Sequence, residues 1–133
     1  MKKILLINGH PDKESLCFSL AESYQKGALA SDAECKLVNL VDWDFSPILI
    51  YGYRVVSVLE PDLVKIQQDI LDADHLFFLY PTWWGTNPAL LKGFIDRIFL
   101  PGFAFKYHKD SHFGDKLLTE KTARLIITMD APK

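Results

Sequence analysis

Four short runs of almost continuously apolar residues divide the sequence, and segments with the periodicity of an α-helix lie between them. The runs cover residues 3–8, 35–41, 75–80 and 123–129. Continuous apolar runs of this length are typical of parallel β-strands that are covered on both faces. Strands that alternate with helices predict βαβ units with right-handed crossovers. The sequence therefore predicts an α/β fold, a three-layer α/β/α sandwich around a parallel sheet.

The three helical patterns each carry a local start signal. The first helix can begin at Ser15, and the second is entered through Pro61. Asn87 is placed as the N-cap of the third helix, with Pro88 at its first helical position. These signals predict one helix between each pair of successive strands.

Two segments, residues 46–60 and 103–118, lack a clean period. We expect the first to be a partly ordered excursion after the second strand and the other to be a loop. No linker or repeat is evident, so residues 1–133 are expected to form a single domain. A doubly wound sheet of this order normally carries a fifth strand and a closing helix. We therefore expect the domain to be incomplete at its C-terminus, with the last apolar strand as an open edge.

Charge and composition exclude several classes of function. Lys and Arg number 15 against 17 Asp and Glu, with no basic run, which argues against nucleic acid as a partner. No apolar stretch approaches the roughly 20 residues that span a bilayer, so a membrane-embedded protein is not expected. Cys17 and Cys35 form neither a metal-ligand spacing nor a disulfide framework. Reduced thiols favour a cytoplasmic location.

Several charged residues are expected to take no part in a site. Lys92, Asp96 and Arg97 are predicted to decorate the exposed side of the third helix. His108 and His112 lack the spacing of a zinc site and are interpreted as solvated loop residues. We therefore predict no metal site.

The loop after the first strand, residues 8–15, is a candidate phosphate site. Gly9 permits a tight turn, and backbone amides at the helix start could converge on an anion with the Ser15 hydroxyl and the His10 ring. A plain strand-to-helix turn capped by Ser15 explains the same residues equally well. The loop matches neither G-x-G-x-x-G nor the Walker pattern, which argues against a dinucleotide or P-loop site.

The loop after the third strand, residues 81–87, places two adjacent tryptophans and a glycine at the same edge of the predicted sheet. Backbone amides of Trp83, Trp84 and Gly85 could address the polar edge of a flat heterocycle while an indole supports its face. Core or dimer-contact tryptophans are the alternative. Because the two loops share one edge, a ligand with a phosphate and a flat ring is favoured.

The segments GHPDKESL, FSPIL, PTWWGTNPALLKGFIDRIF and FAFKYH resemble the flavodoxin-like NAD(P)H dehydrogenase (quinone) family over nearly the whole chain. The resemblance implies a non-covalent flavin (FMN or FAD) that NAD(P)H reduces and a quinone or another small acceptor reoxidises, in ping-pong fashion. It also implies a homodimer, for which the apolar face of residues 90–99 is a candidate interface.

The resemblance assigns site residues by position. One group of residues, in and just after the first loop, matches the family's residues that bind the phosphate side of the flavin. A second group, in the second loop, matches the family's residues around the isoalloxazine. Two aromatics match those that close the substrate pocket from the partner subunit. In that order these residues are His10, Ser15, Leu16 and Cys17; Pro81, Thr82, Trp83, Trp84 and Gly85; and Phe105 and Tyr107. Cys17 stands where many members have Asn, and no residue is assigned as a catalytic acid or base.

Other functions remain open at this point. A flavodoxin-type electron carrier would have a markedly acidic surface, against which the net charge of −2 argues. A non-catalytic or truncated member could instead act as a regulatory partner of a membrane transporter.

Overall fold

The computed structural model describes residues 1–110, 112 and 114–130. Its main feature is a four-stranded parallel sheet in the order β2-β1-β3-β6, with three helices packed against it. The predicted flavodoxin-like α/β architecture is thereby confirmed. The strands are β1 (Lys3–Asn8), β2 (Glu34–Asn39), β3 (His75–Pro81), β4 (Phe105–Lys106), β5 (Asp115–Lys116) and β6 (Thr122–Thr128). The helices are α1 (Leu16–Ala30), α2 (Pro61–Asp72) and α3 (Ala89–Ile98).

The register of the sheet brings the carboxyl ends of its strands to one edge. Asn8 at the end of β1 pairs with Asn39 on one side and with Leu79 of β3 on the other. The last residue of β3, Pro81, pairs with Thr128 at the end of β6. The loops that follow β1, β3 and β6 therefore begin side by side.

Alternate residues of β1 supply two separate cores. Leu5 and Ile7 point to the side of the sheet that α2 and α3 cover, whereas Leu6 packs with Cys17 and Ala21 on the α1 side. All five side chains are buried. This burial on both faces explains why the strand is a continuous apolar run rather than an alternating one.

The edge strand β6 is largely exposed. Leu125 and Ile127 are among its exposed apolar side chains, and none of the described residues pairs with its outer side.

Helix α3 begins one residue later than predicted. Pro88 has φ −57° and ψ 151° and is itself the N-cap, so the helix starts at Ala89 and the prediction of Asn87 as the cap was wrong. Proline's fixed φ suits both the extended and the helical region, and the local sequence does not decide between them. Strand β2 likewise ends at Asn39 rather than at residue 41, because a 3₁₀ turn over Leu40–Asp42 follows.

The two aperiodic segments differ from each other. Residues 46–60 have no regular element before α2, whereas the segment 103–118 contains the short antiparallel pair β4–β5, in which Phe105 opposes Lys116. The prediction of a plain loop there was therefore wrong. No helix that the structure describes is long and apolar enough to cross a membrane.

Two predictions about the faces of α3 were also wrong. Arg97 is buried rather than exposed, with 5% of its surface accessible, although Lys92 and Asp96 do form an exposed ion pair. The apolar face of residues 90–99, which we predicted as a candidate dimer interface, is instead part of the core, because Leu91 and Phe94 are fully buried against the sheet. Packing within the chain has already used that face.

Candidate functional site

An open cleft of about 330 Å³ lies at the carboxyl edge of the sheet, between the start of α1, the loop after β3 and the end of β6. Its size is within the usual range for small-molecule sites. Asp130 is the sole ionisable side chain among the described residues that line it. The lining residues are Leu16 from α1, Pro81, Thr82 and Trp83 from the second loop, and Thr128, Met129 and Asp130 from the end of β6. Apolar and aromatic side chains predominate, with two hydroxyls among them.

The first loop is held by bonds from its own side chains. The side-chain nitrogen of buried Asn8 donates a hydrogen bond to Oδ1 of Asn39. Oδ1 of Asn8 accepts a hydrogen bond from the backbone amide of His10 at 3.1 Å. Nδ1 of His10 accepts a hydrogen bond from the backbone amide of Asp12 at 2.9 Å. Oδ1 of Asp12 in turn accepts a hydrogen bond from the backbone amide of Glu14 at 2.9 Å. The backbone amides of His10, Asp12 and Glu14 are therefore bonded within the loop and do not face an anion. Because Nδ1 of His10 is an acceptor, the neutral ring carries its proton on Nε2.

Gly9 allows this loop to lie against α3. A Cβ atom at this position would lie 2.8 Å from Cβ of Leu91 and 2.9 Å from its Cδ2. Such contacts are too short for carbon atoms, which prefer about 3.5–4.0 Å. The glycine thus fixes the distance between the first loop and the helix that follows the second loop.

The start of α1 supplies the amides that remain. The Ser15 hydroxyl accepts the amide of Phe18 at 3.4 Å and caps the helix, as predicted. The amides of Leu16 and Cys17 belong to the first turn, where no carbonyl of the helix can reach them. No partner is found for them among the residues that the structure describes. The helix dipole makes such a turn favourable for a negatively charged group.

The second loop contains a tight turn. The backbone amide of Trp83 donates to the carbonyl oxygen of Thr86 at 2.9 Å, and the amide of Thr86 donates to the carbonyl oxygen of Trp83 at 3.1 Å. Trp84 and Gly85 are therefore the two central residues of the turn. Both have positive φ, 52° and 75°, the conformation for which glycine is preferred at Gly85.

This turn uses one of the three backbone amides that the sequence analysis offered to a ligand. The amide of Trp83 binds the carbonyl oxygen of Thr86, so it cannot also address a ligand. Trp84 is fully exposed and lies outside the residues that line the cleft. Trp83 is about half exposed, lines the cleft and meets the His10 ring edge-on at a centroid distance of 5.4 Å. A single indole therefore borders the cleft.

Thr128 contacts both the second loop and α1. Its carbonyl oxygen accepts the amide of Thr82 at 2.7 Å, and its hydroxyl lies 3.4 Å from Sγ of buried Cys17. The sequence did not lead us to assign residues 128–130 to the site. Asn8 was missed as well, although a polar residue that ends an apolar strand was its signal.

Phe105 and Tyr107, the aromatics predicted for the substrate pocket, lie away from the cleft in the structure. Phe105 meets Tyr107 at a centroid distance of 5.3 Å and Tyr53 at 6.2 Å, and neither Phe105 nor Tyr107 lines the cleft. Within one copy of the chain the structure does not bring these two residues to the carboxyl edge of the sheet.

Comparison with known proteins places these features in a wider group. The sequence profile of the family described as having a flavodoxin-like fold matches residues 2–133. An uncharacterized NAD(P)H oxidoreductase of Haemophilus influenzae is 30% identical over 129 residues, which cover 94% of this chain and 63% of that protein. An FMN-dependent NADH:quinone oxidoreductase of Macrococcus caseolyticus is also 30% identical, over 95% of this chain and 68% of that protein.

A solved structure gives the same picture of the fold. The Smu.1420 protein of Streptococcus mutans superimposes with a TM-score of 0.78 and 30% identity, over 98% of this chain and 69% of that one. The chain spans less than two thirds of the length of the Haemophilus influenzae relative.

Proposed function

The chain belongs to the flavodoxin-like fold family, and on that premise we propose that it binds FMN in the carboxyl-edge cleft and acts as an NAD(P)H:quinone oxidoreductase. The observation that carries the proposal is that the start of α1, the second loop and the end of β6 meet at one cleft. The start of α1 supplies amides, the second loop an indole and the end of β6 a hydroxyl. The name of the Macrococcus caseolyticus relative supports FMN as the flavin and a quinone as the acceptor.

The residues of the cleft fit a flavin. We assign the phosphate to the amides of Leu16 and Cys17 beside Ser15, where the helix dipole favours negative charge. We assign the flat ring to the apolar wall that includes Pro81 and Trp83. Thr82 is suited to bond the polar edge of the ring. His10 supports this arrangement from behind by packing on the indole of Trp83.

Bound in this way, a flavin supplies hydride chemistry between NAD(P)H and the acceptor, and the protein contributes binding, orientation and a suitable electrostatic setting. The bond from Thr82 to Thr128 fixes the second loop relative to the third. The apolar wall keeps water from the covered face of the ring. The chain is not required to provide a strong acid or base, which agrees with the single ionisable side chain among the described residues of the cleft.

We further propose that the protein is a cytoplasmic homodimer. Residues 48–58 expose apolar side chains to an unusual degree, among them Val56 at 94% and Val58 at 90%. Contiguous exposed apolar surface of this kind marks interaction sites. In such a dimer Phe105 and Tyr107 of one copy would border the acceptor pocket of the other. Both cysteines are free thiols, as expected for the cytoplasm.

The proposal is tested by turnover. The chain reconstituted with FMN is mixed with NADH or NADPH and a water-soluble benzoquinone, and nicotinamide oxidation is followed by absorbance. We expect oxidation well above the rate of free FMN, with parallel double-reciprocal plots as the quinone concentration is varied. Oxidation no faster than with free FMN would overturn the proposed activity.

A further inference from the structure

Arg97 is a buried cation in the C-terminal half of α3, and its guanidinium holds a distant part of the chain. Nη1 donates to the carbonyl oxygen of Ser46 at 2.6 Å, and Nη2 donates to that of Val58 at 3.3 Å. The same two nitrogens bond both carboxylate oxygens of Glu60, at 3.2 and 2.7 Å. A planar guanidinium can make this set of bonds, whereas the point charge of a lysine cannot.

Glu60 lies at the other end of the segment that begins at Ser46, and it bonds to both Ser46 and Arg97. Its Oε1 accepts the amide of Ser46 at 3.0 Å, so the two ends of the segment are bonded to each other as well as to Arg97. Partial burial alone would raise the pKa of the Glu60 carboxyl, but the bonds from Ser46 and Arg97 outweigh it and hold the pKa below its usual value. The carboxylate is therefore charged and paired at neutral pH.

Close packing adds to these bonds. A Cβ atom at Gly93 would lie 2.5 Å from the carbonyl oxygen of Pro47 and 2.7 Å from its Cα. The backbone of the segment thus rests directly on α3, one helical turn before Arg97. We call residues 47–59 the apolar loop, because Arg54 is the sole charged residue within it.

The apolar loop borders an open pocket and reaches the aromatic pair. The pocket, of about 460 Å³, has Arg97 and Glu60 as the charged groups among its described lining residues. Near the middle of the loop, Tyr53 meets Phe105 edge-on at a centroid distance of 6.2 Å, and Phe105 in turn meets Tyr107. A physical connection therefore runs from Arg97 through the loop to Phe105.

We propose that Arg97 is a positioning residue that fixes the apolar loop on α3 and thereby holds Tyr53 against Phe105. Because Phe105 and Tyr107 are assigned to the acceptor pocket, the effect on turnover rests on the function proposed above. The effect on the loop does not. Arg97 acts through the loop and touches neither the cleft nor its lining.

The test compares Arg97→Met with Lys92→Met, which removes the exposed ion pair of the same helix. Amide hydrogen exchange is measured in the whole chain at Ser46, Gly52 and Arg54, whose amides are hydrogen-bonded, together with the nuclear Overhauser effect between the rings of Tyr53 and Phe105. We expect Arg97→Met to speed exchange in the loop at least ten-fold and to abolish the ring contact, while exchange in β1 and β3 stays slow. Lys92→Met should change neither.

Turnover gives a second readout. For Arg97→Met we expect KM for the quinone to rise at least five-fold while the FMN dissociation constant stays within two-fold of that of the wild type. If Arg97→Met does not fold, Glu60→Gln replaces it, with the same changes expected in smaller size. Unchanged loop exchange together with an intact ring contact would overturn the proposal. A wild-type chain that binds no flavin would overturn the proposed function alone, since exchange and ring contact still decide the role of Arg97.

Discussion

Replacing Gly93 with alanine tests most sharply whether α3 and the apolar loop are packed as the structure describes. Gly93 lies inside a helix, where alanine is ordinarily favoured over glycine by about 1 kcal/mol. The new Cβ would lie 2.5 Å from the carbonyl oxygen of Pro47 and 2.7 Å from its Cα. Both atoms belong to the backbone, so the clash cannot be relieved by rotating a side chain.

The size of the effect follows from these distances. Carbon atoms prefer a separation of about 3.5–4.0 Å, so the contact with Cα is too short by roughly 0.8 Å. Overpacking a well-packed site costs about 1–3 kcal/mol. We take the upper end of that range because the loop is also held by Arg97, and we subtract the gain in helix propensity. Gly93→Ala should then lower the free energy of unfolding by about 2 kcal/mol.

Gly27→Ala is the matched control. Gly27 also lies inside a helix, and a Cβ atom there would meet nothing within 4 Å. This variant should raise the free energy of unfolding by about 0.5–1 kcal/mol. Urea unfolding of both variants, followed by circular dichroism, measures the difference. A Gly93→Ala protein as stable as Gly27→Ala would refute the close packing of the loop on α3.

The other predictions concern the cleft, one histidine and the first loop. Trp83→Ala should weaken FMN binding about five-fold, as expected for loss of an aromatic contact of about 1 kcal/mol, whereas Trp84→Ala should change it less than two-fold; equal losses in a fluorescence titration would contradict the assignment. Burial, with help from nearby cations, lowers the pKa of His75, so its neutral ring should stabilise the fold above the ordinary imidazole pKa of about 6.5 and lose that contribution as the pH falls below it. An NMR titration that finds the His75 pKa above this value would contradict the prediction. Asn8→Leu should lower the free energy of unfolding by about 2 kcal/mol, because the amide of His10 and the side chain of Asn39 lose a buried partner; thermal unfolding at an unchanged temperature would argue against it.

The strands could be predicted because burial on both faces leaves a direct trace in the sequence. Strand β1 has the same bounds, residues 3–8, in the prediction and in the structure. The position of the apolar loop left no such trace in the sequence. Arg97, which bonds the residues at its two ends, lies 51 residues after Ser46 and 37 residues after Glu60. An arginine beside Lys92 and Asp96 has the pattern of a solvent-facing charge, and the tertiary fold alone shows that it is buried.

The location of the cleft could be predicted for a similar reason. Parallel strands end at the same edge of a sheet, so residues that follow β1, β3 and β6 must be neighbours. The different surroundings of Trp83 and Trp84 could not be predicted. They depend on a left-handed conformation at Trp84, with φ 52°, which residues other than glycine seldom adopt.

A titration of the purified chain with FMN tests directly whether the carboxyl-edge cleft binds the flavin. Flavin fluorescence is recorded during the titration, and the visible spectrum is recorded after desalting. We expect quenched fluorescence and flavin absorbance that stays with the protein, because the start of α1, the second loop and the end of β6 form a site for the ring and its phosphate. A chain with a folded circular dichroism spectrum that retains no flavin would contradict it.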